Sequence, residues 1–178
     1  MMGLPEKIVA VHERLAAAGL AHAFGGALAL AWCTGRARGT IDIDVNVFVG
    51  VDQAAAVLDA LPDAVEQTPA LLKTLRREGQ VRLWWTRTPV DVFLNSTDYH
   101  TAVAGRIRWE SLKNRDLPFL ACHDLAVFKA FFNRTKDWAD LEEMVAADTI
   151  DTGAVAAVLI DLLGADDERV VRLTQLAR

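Results

Sequence analysis

Cysteine is scarce in this chain: Cys33 and Cys122 are the only two among 178 residues, and they lie far apart. A disulfide framework of the kind that staples small secreted domains is not expected, and the two side chains read as reduced, cytosolic thiols in the core. Zinc-ligand spacing is missing as well, because no Cys/His cluster is present. His12, His22, His100 and His123 show no partner pattern and read as structural or surface residues. Long apolar runs are absent. None approaches the roughly 18 uncharged residues of a membrane helix, so no membrane span is expected. The opening Met-Met-Gly-Leu-Pro-Glu-Lys lacks the basic-then-apolar layout of a secretory signal, and the expected location is the cytoplasm. Internal repeats and low-complexity linkers are also lacking.

Apolar residues make up 52% of the chain, enough to build a core, and the length suits one domain with a helical appendage. The net charge of −5 argues weakly against a nucleic-acid partner. Its distribution says more. Residues 1–70 carry 4 basic and 8 acidic side chains, residues 71–136 carry 12 and 6, and residues 137–178 carry 3 and 10. The middle third can present a positive face to phosphate-rich substrates, or its Arg and Lys residues simply decorate exposed surfaces.

Hydrophobic periodicity and turn chemistry outline the elements. Residues 6–18 read as an amphipathic helix stopped by Gly19, and 20–24 as a short strand followed at once by Gly25-Gly26. Residues 27–33 read as a helix and 34–39 as a loop. Asp52 is the expected N-cap of a helix ended by Pro62. Thr68-Pro69 opens another helix, which closes at Gly79. Residues 80–86 and 89–94 form an expected antiparallel hairpin. A short helix over 98–105 and two short edge strands within 106–120 follow. From Asp124 onward the pattern is helical, with breaks near 133–135, 148–152 and Gly164. The expected division is a core over 1–121 and a helical region over 122–178 packed on it.

The stretch Thr40-Ile-Asp-Ile-Asp-Val-Asn-Val-Phe-Val49 carries the most chemistry. Its strict alternation predicts a strand over about 41–49 with one buried face. Asp42 and Asp44 share the opposite face, with Cβ atoms about 7 Å apart. Asp is a poor strand former, which gives the pair a functional cast. Asp91 lies in the second hairpin strand, flanked by Val90 and Val92. If that strand pairs beside the acidic one, three carboxylates converge on one sheet surface and repel one another unless a cation offsets them. All-oxygen ligands select Mg²⁺ or Mn²⁺. Gly25-Gly26, between a strand and a helix, allows close approach of a triphosphate to backbone N–H groups.

Phe24-Gly-Gly26, Arg38-Gly-Thr-Ile-Asp-Ile-Asp44 and Val90-Asp-Val92 together resemble the nucleotidyltransferase superfamily with the DNA polymerase β-like fold. The later Cys122–Leu141 run, with its Lys and its Arg-x-Lys-Asp-x-x-Asp-Leu segment, is similar to the C-terminal helix motif of the AbiEii/MenT-type toxin branch. The resemblance spans roughly residues 20–145. It implies an α/β minimal nucleotidyltransferase fold, with a small mixed sheet followed by a C-terminal helical bundle. It implies Mg²⁺ (or Mn²⁺) held by Asp42, Asp44 and Asp91, the last also helping to deprotonate the acceptor. Gly25 and Gly26 would cradle the triphosphate, and Lys129 would contact its phosphates. Asp140 would orient Lys136 or reach the site itself. Arg36 and Arg38 would contact triphosphate or acceptor. The implied partners are an NTP, an RNA acceptor such as the tRNA 3′ end, and a cognate antitoxin. Two departures stand out: Gly26 replaces the Ser of many relatives, and Asn46 and Phe48 are not acidic. Thr40 is expected on the metal face, where phosphorylation would silence the site; the plainer reading is that it begins the strand.

Other readings stay open. The acceptor can be a small hydroxylated molecule of aminoglycoside type, or the chain can be an inactive nucleotide- or partner-binding module. Asp42 and Asp44 can be solubilising charges, Lys129 can snorkel to solvent, and Lys136 and Asp140 can be an ordinary i,i+4 pair. Of Trp84 and Trp85, one is expected buried and one on the opposite face. Trp109, flanked by Arg106, Arg108 and Lys113, is a candidate RNA contact.

Overall fold

A computed structural model describes residues 2–37 and 39–176. The chain divides into two compact units, Met1–Leu28 with Gly39–Leu120, and Ala29–Arg38 with Ala121–Arg178.

The first unit is built on a mixed sheet. Helix α1 (Leu4–Ala17) carries Pro5 in its first turn, where the missing N–H costs nothing. Its buried stripe includes Ile8, Val11 and Leu15, at helical spacing. Gly19, at φ +71°, turns the chain away. There follow β1 (His22–Phe24), α2 (Gly26–Thr34), β2 (Ile43–Val47), α3 (Ala54–Asp59), α4 (Pro69–Glu78), β3 (Gln80–Trp85), β4 (Thr88–Leu94), α5 (Asp98–Val103), β5 (Arg108–Leu112) and β6 (Arg115–Phe119). Helix α2 opens in this unit, and its later turns belong to the second. The strand order is β3-β4-β2-β1-β6-β5. β2 runs parallel to β4 and β1 parallel to β6; the remaining pairs are antiparallel.

The expected elements are present, with three local corrections. β2 begins at Ile43 and ends at Val47, so Asp42 and Thr40 lie in the approach to the strand. There the Thr40 Oγ1 accepts the Asp42 N–H at 3.2 Å, and a local side-chain-to-backbone bond of this kind competes with strand pairing. Asp52 caps no helix: it sits inside a short 3₁₀ turn over Val51–Gln53 that precedes α3. β6 is an interior strand between β1 and β5, not an edge. The other signals hold. Thr68 Oγ1 accepts the Leu71 N–H at the start of α4, and Gly79 closes that helix in the left-handed region. Lys113 and Asn114 both take positive φ in the β5–β6 turn, as a two-residue hairpin loop demands.

Two side chains tie α1 to the sheet. The buried Lys7 ammonium donates to the Trp85 carbonyl and the Thr88 hydroxyl, both at 2.9 Å. His22 Nδ1–H donates to the Leu20 carbonyl at 2.7 Å, which leaves Nε2 to accept from His12 Nδ1–H at 2.9 Å. These two histidines, unpaired in the sequence reading, therefore pair with each other. Burial lowers the pKa of both, that of His22 to about 4.

The second unit is helical: α6 (Cys122–Phe132), α7 (Thr135–Ala146), α8 (Thr152–Leu163) and α9 (Glu168–Leu176), with the Ala29–Arg38 segment. A mixed sheet followed by a C-terminal helical bundle is thus the observed architecture. Asn133, at φ +57°, ends α6; its Oδ1 accepts the Trp138 indole N–H at 2.7 Å and its amide donates to Glu168 at 3.0 Å. Asp151 caps α8 by accepting two backbone N–H groups. The expectation of reduced thiols is corrected here: Cys33 and Cys122 form a disulfide, with Cα atoms 5.6 Å apart. The fold brings α2 to the first residue of α6, a proximity that a separation of 89 residues conceals. Among the described residues no helix is long and apolar enough to cross a membrane.

Candidate active site

The register of β2 on β4 sets the site. Asp44 pairs directly with Asp91, flanked by the Ile43–Val90 and Val45–Val92 pairs. Neighbouring strands stand about 4.8 Å apart, so the two acidic side chains rise side by side from one face. Ile43, Val45, Val90 and Val92 are fully buried on the other, and this burial fixes the register, because a one-residue slip would turn the carboxylates into the core.

The Gly25-Gly26 turn abuts this face. The Gly25 N–H donates to the Asp44 carbonyl at 2.9 Å. Gly26, at φ +55°, lies so close that an added Cβ would stand 1.9 Å from Asp44 Oδ2. A side chain here could not be accommodated with Asp44 in this position. Gly26 also begins α2, whose first N–H groups are the natural seat of an anion.

A residue outside the expected set completes the cluster. Arg82 on β3 pairs with Asp91 across the hairpin and grips it with two bonds, Nε to Oδ1 at 2.8 Å and Nη2 to Oδ2 at 2.7 Å. The same Nη2 lies 4.0 Å from Asp42 Oδ2. The hydrogen bonds to Asp91, reinforced by the charges of Asp91, Asp42 and Asp44, raise the Arg82 pKa above its ordinary value. The observed turn, one residue earlier than the expected link at 87–88, sets this pairing. With two residues, Thr86 and Arg87, between the strands, position 82 falls opposite 91. β3 alternates strictly, exposing Gln80, Arg82 and Trp84 and burying Val81, Leu83 and Trp85. Trp84, 43% exposed, therefore lies on the Arg82–Asp91 face, while Trp85 enters the core.

The remaining expected residues belong to the second unit. Lys129 is buried and donates to Asp140 at 2.5 Å, with Asp137 at 3.8 Å. Asp140 thus pairs with Lys129, not with Lys136, which is exposed. The break at Asn133 divides the polar stripe of Lys129, Asn133, Lys136 and Asp140 between α6 and α7, and the pair bridges the two helices. Asp137 also accepts two bonds from the Arg134 guanidinium and one from its backbone N–H. Arg36 is exposed in the loop after α2; Arg38 lies outside the described residues.

No protein-family model matches the sequence, and no curated protein matches it. Solved structures do. An antigenic nucleotidyltransferase-like protein from Paracoccidioides brasiliensis matches with a TM-score of 0.54 at 11% identity, over 94% of this chain and 92% of that one. The antibiotic-resistance factor ANT(2'')-Ia matches with a TM-score of 0.52 at 16% identity, over 97% and 91%. The chain has a nucleotidyltransferase-like fold. At these identities the likeness is one of fold.

For a nucleotidyltransferase-like fold, the donor set suits a hard divalent cation: three carboxylates, two of them adjacent on paired strands, with no sulfur or imidazole among them. Among the described residues, however, no three His, Cys, Asp or Glu side chains are gathered as a ready ligand set. Both Asp91 oxygens are held by Arg82.

Proposed function

We propose that the protein transfers a nucleoside monophosphate from an NTP to an acceptor hydroxyl and releases pyrophosphate. The observation that carries this reading is the Asp44–Asp91 register, with Asp42 within reach of the same guanidinium and the Gly25-Gly26 turn seated against Asp44. Asp42, Asp44 and Asp91 would hold Mg²⁺ or Mn²⁺. When bound, the ion would offset the phosphate charge and acidify the acceptor hydroxyl. The start of α2 would receive the triphosphate and hold it in line with the acceptor. Asp91 would take the acceptor proton as the acceptor oxygen bonds to the α-phosphorus and the bond to the β-bridging oxygen breaks. Positioning and charge would supply most of the rate. We do not assign the phosphate contact that resemblance suggests for Lys129, because its ammonium is committed to Asp140 and Asp137.

The preferred acceptor is RNA, in keeping with the motif resemblance to the toxin branch. The exposed Trp84 on the face of Asp91 supports it, because an exposed aromatic ring suits stacking of a splayed base. A tRNA 3′ end as target and a cognate antitoxin as partner follow from that resemblance. A second reading, a small hydroxylated acceptor, draws on the fold likeness to an antibiotic-resistance factor.

Incubation with labelled NTPs, Mg²⁺, total RNA and an aminoglycoside panel separates the readings. Label on RNA is expected. Label confined to a small molecule would replace the acceptor assignment. Nucleotide binding without any transfer would leave a binding module. Asp42→Ala should abolish transfer while the circular-dichroism spectrum stays unchanged; full activity in that variant would remove the metal assignment.

A further inference from the structure

We infer that Arg82 is a built-in counter-cation that competes with the divalent ion for Asp91, and so sets the ion concentration at which the site loads. This rests on the metal-dependent reading above and names a control on the same site. Three observations lead to it. The guanidinium holds both Asp91 oxygens at 2.7–2.8 Å, the atoms a divalent ion needs. One of its nitrogens also reaches toward Asp42, so a single cationic group spans two of the three carboxylates. The Asp44–Asp91 register sets like charges on adjacent strands, and a folded protein without a metal needs some cation there. Arg82 meets that need from within the chain.

The exchange is physically easy. Arg82 sits on the edge strand β3 with its side chain half exposed, so it can swing into water as an incoming ion takes over the mostly buried Asp91 carboxylate. The guanidinium carries one positive charge and a divalent ion two, so the ion can offset more of the carboxylate charge gathered here. Loading is then a replacement of one cation by another.

The test is Mn²⁺ binding to the full chain without nucleotide, followed through the electron-paramagnetic-resonance signal of free Mn²⁺. Arg82→Ala should bind Mn²⁺ about tenfold more tightly than the parent. Arg82→Lys, which keeps the charge but loses the two-pronged grip, should fall between them. In an Asp91→Asn background the Arg82→Ala gain should vanish. Equal or weaker binding in Arg82→Ala overturns the competition and leaves the metal reading standing. Absence of Mn²⁺ binding in both parent and variant overturns both. If Arg82→Ala fails to fold, the ratio of Arg82→Lys to parent decides: tighter binding supports the inference, and no change overturns it.

Discussion

At Gly26 a methyl group would meet the Asp44 carboxylate at 1.9 Å, in a backbone conformation with φ +55° that side-chain-bearing residues rarely adopt. Gly26→Ala should therefore lower stability by about 1–3 kcal/mol, measured by urea denaturation. It should also weaken nucleotide binding, because Asp44 and the start of α2 move together. A variant as stable as the parent would show that the turn has slack the described geometry lacks. Alternation alone assigns Asp44 and Asp91 to the polar faces of their strands, because Ile43, Val45, Val90 and Val92 take the buried ones; that the two strands are neighbours is seen only in the fold. The grip of Arg82 was not legible in the sequence: the expected strands 80–86 and 89–94 set Trp84 opposite Asp91, and the observed turn at Thr86 and Arg87 shifts the register so that Arg82 faces it. Asp42 departed from expectation for a local reason, the Thr40 hydroxyl binding its N–H just before the strand begins.

Helices α6 and α7 are joined through buried charge. Lys129 lies between Asp140 and Asp137, and Asp137 is shared with Arg134. Lys129→Met should cost about 3–5 kcal/mol, because it strands carboxylates in the interior, and chemical denaturation monitored by circular dichroism checks it. A loss below 1 kcal/mol would mean that the pair is solvated. Exposed Lys136, by contrast, should tolerate Lys136→Ala within about 0.5 kcal/mol. The helix breaks were legible from turn residues, Asn133 and Gly164 among them. The partner of Asp140 was not. An i,i+4 rule favours Lys136, but once α6 and α7 part at Asn133 that rule no longer measures distance between them.

At the scale of the whole molecule, two buried histidines contribute to acid sensitivity. Burial holds His22 and His100 neutral, each with a pKa lowered from 6.5 to about 4. The unfolded chain binds these protons near pH 6.5 and the folded chain only near pH 4, so stability is greatest above pH 6.5 and declines as pH falls through that interval. Each site contributes about 3 kcal/mol to the decline, and a thermal-midpoint series from pH 7.5 to 4 should trace it. His22→Gln should flatten the series; an unchanged slope would place the acid sensitivity elsewhere. The Cys33–Cys122 bond has a covalent outcome of a different sort. It turns everything from the end of α2 to the start of α6, including β2 through β6, into a closed ring of chain. A protease that nicks one exposed loop within the ring should yield a product that migrates as a single band on a denaturing gel. Dithiothreitol should resolve it into two fragments.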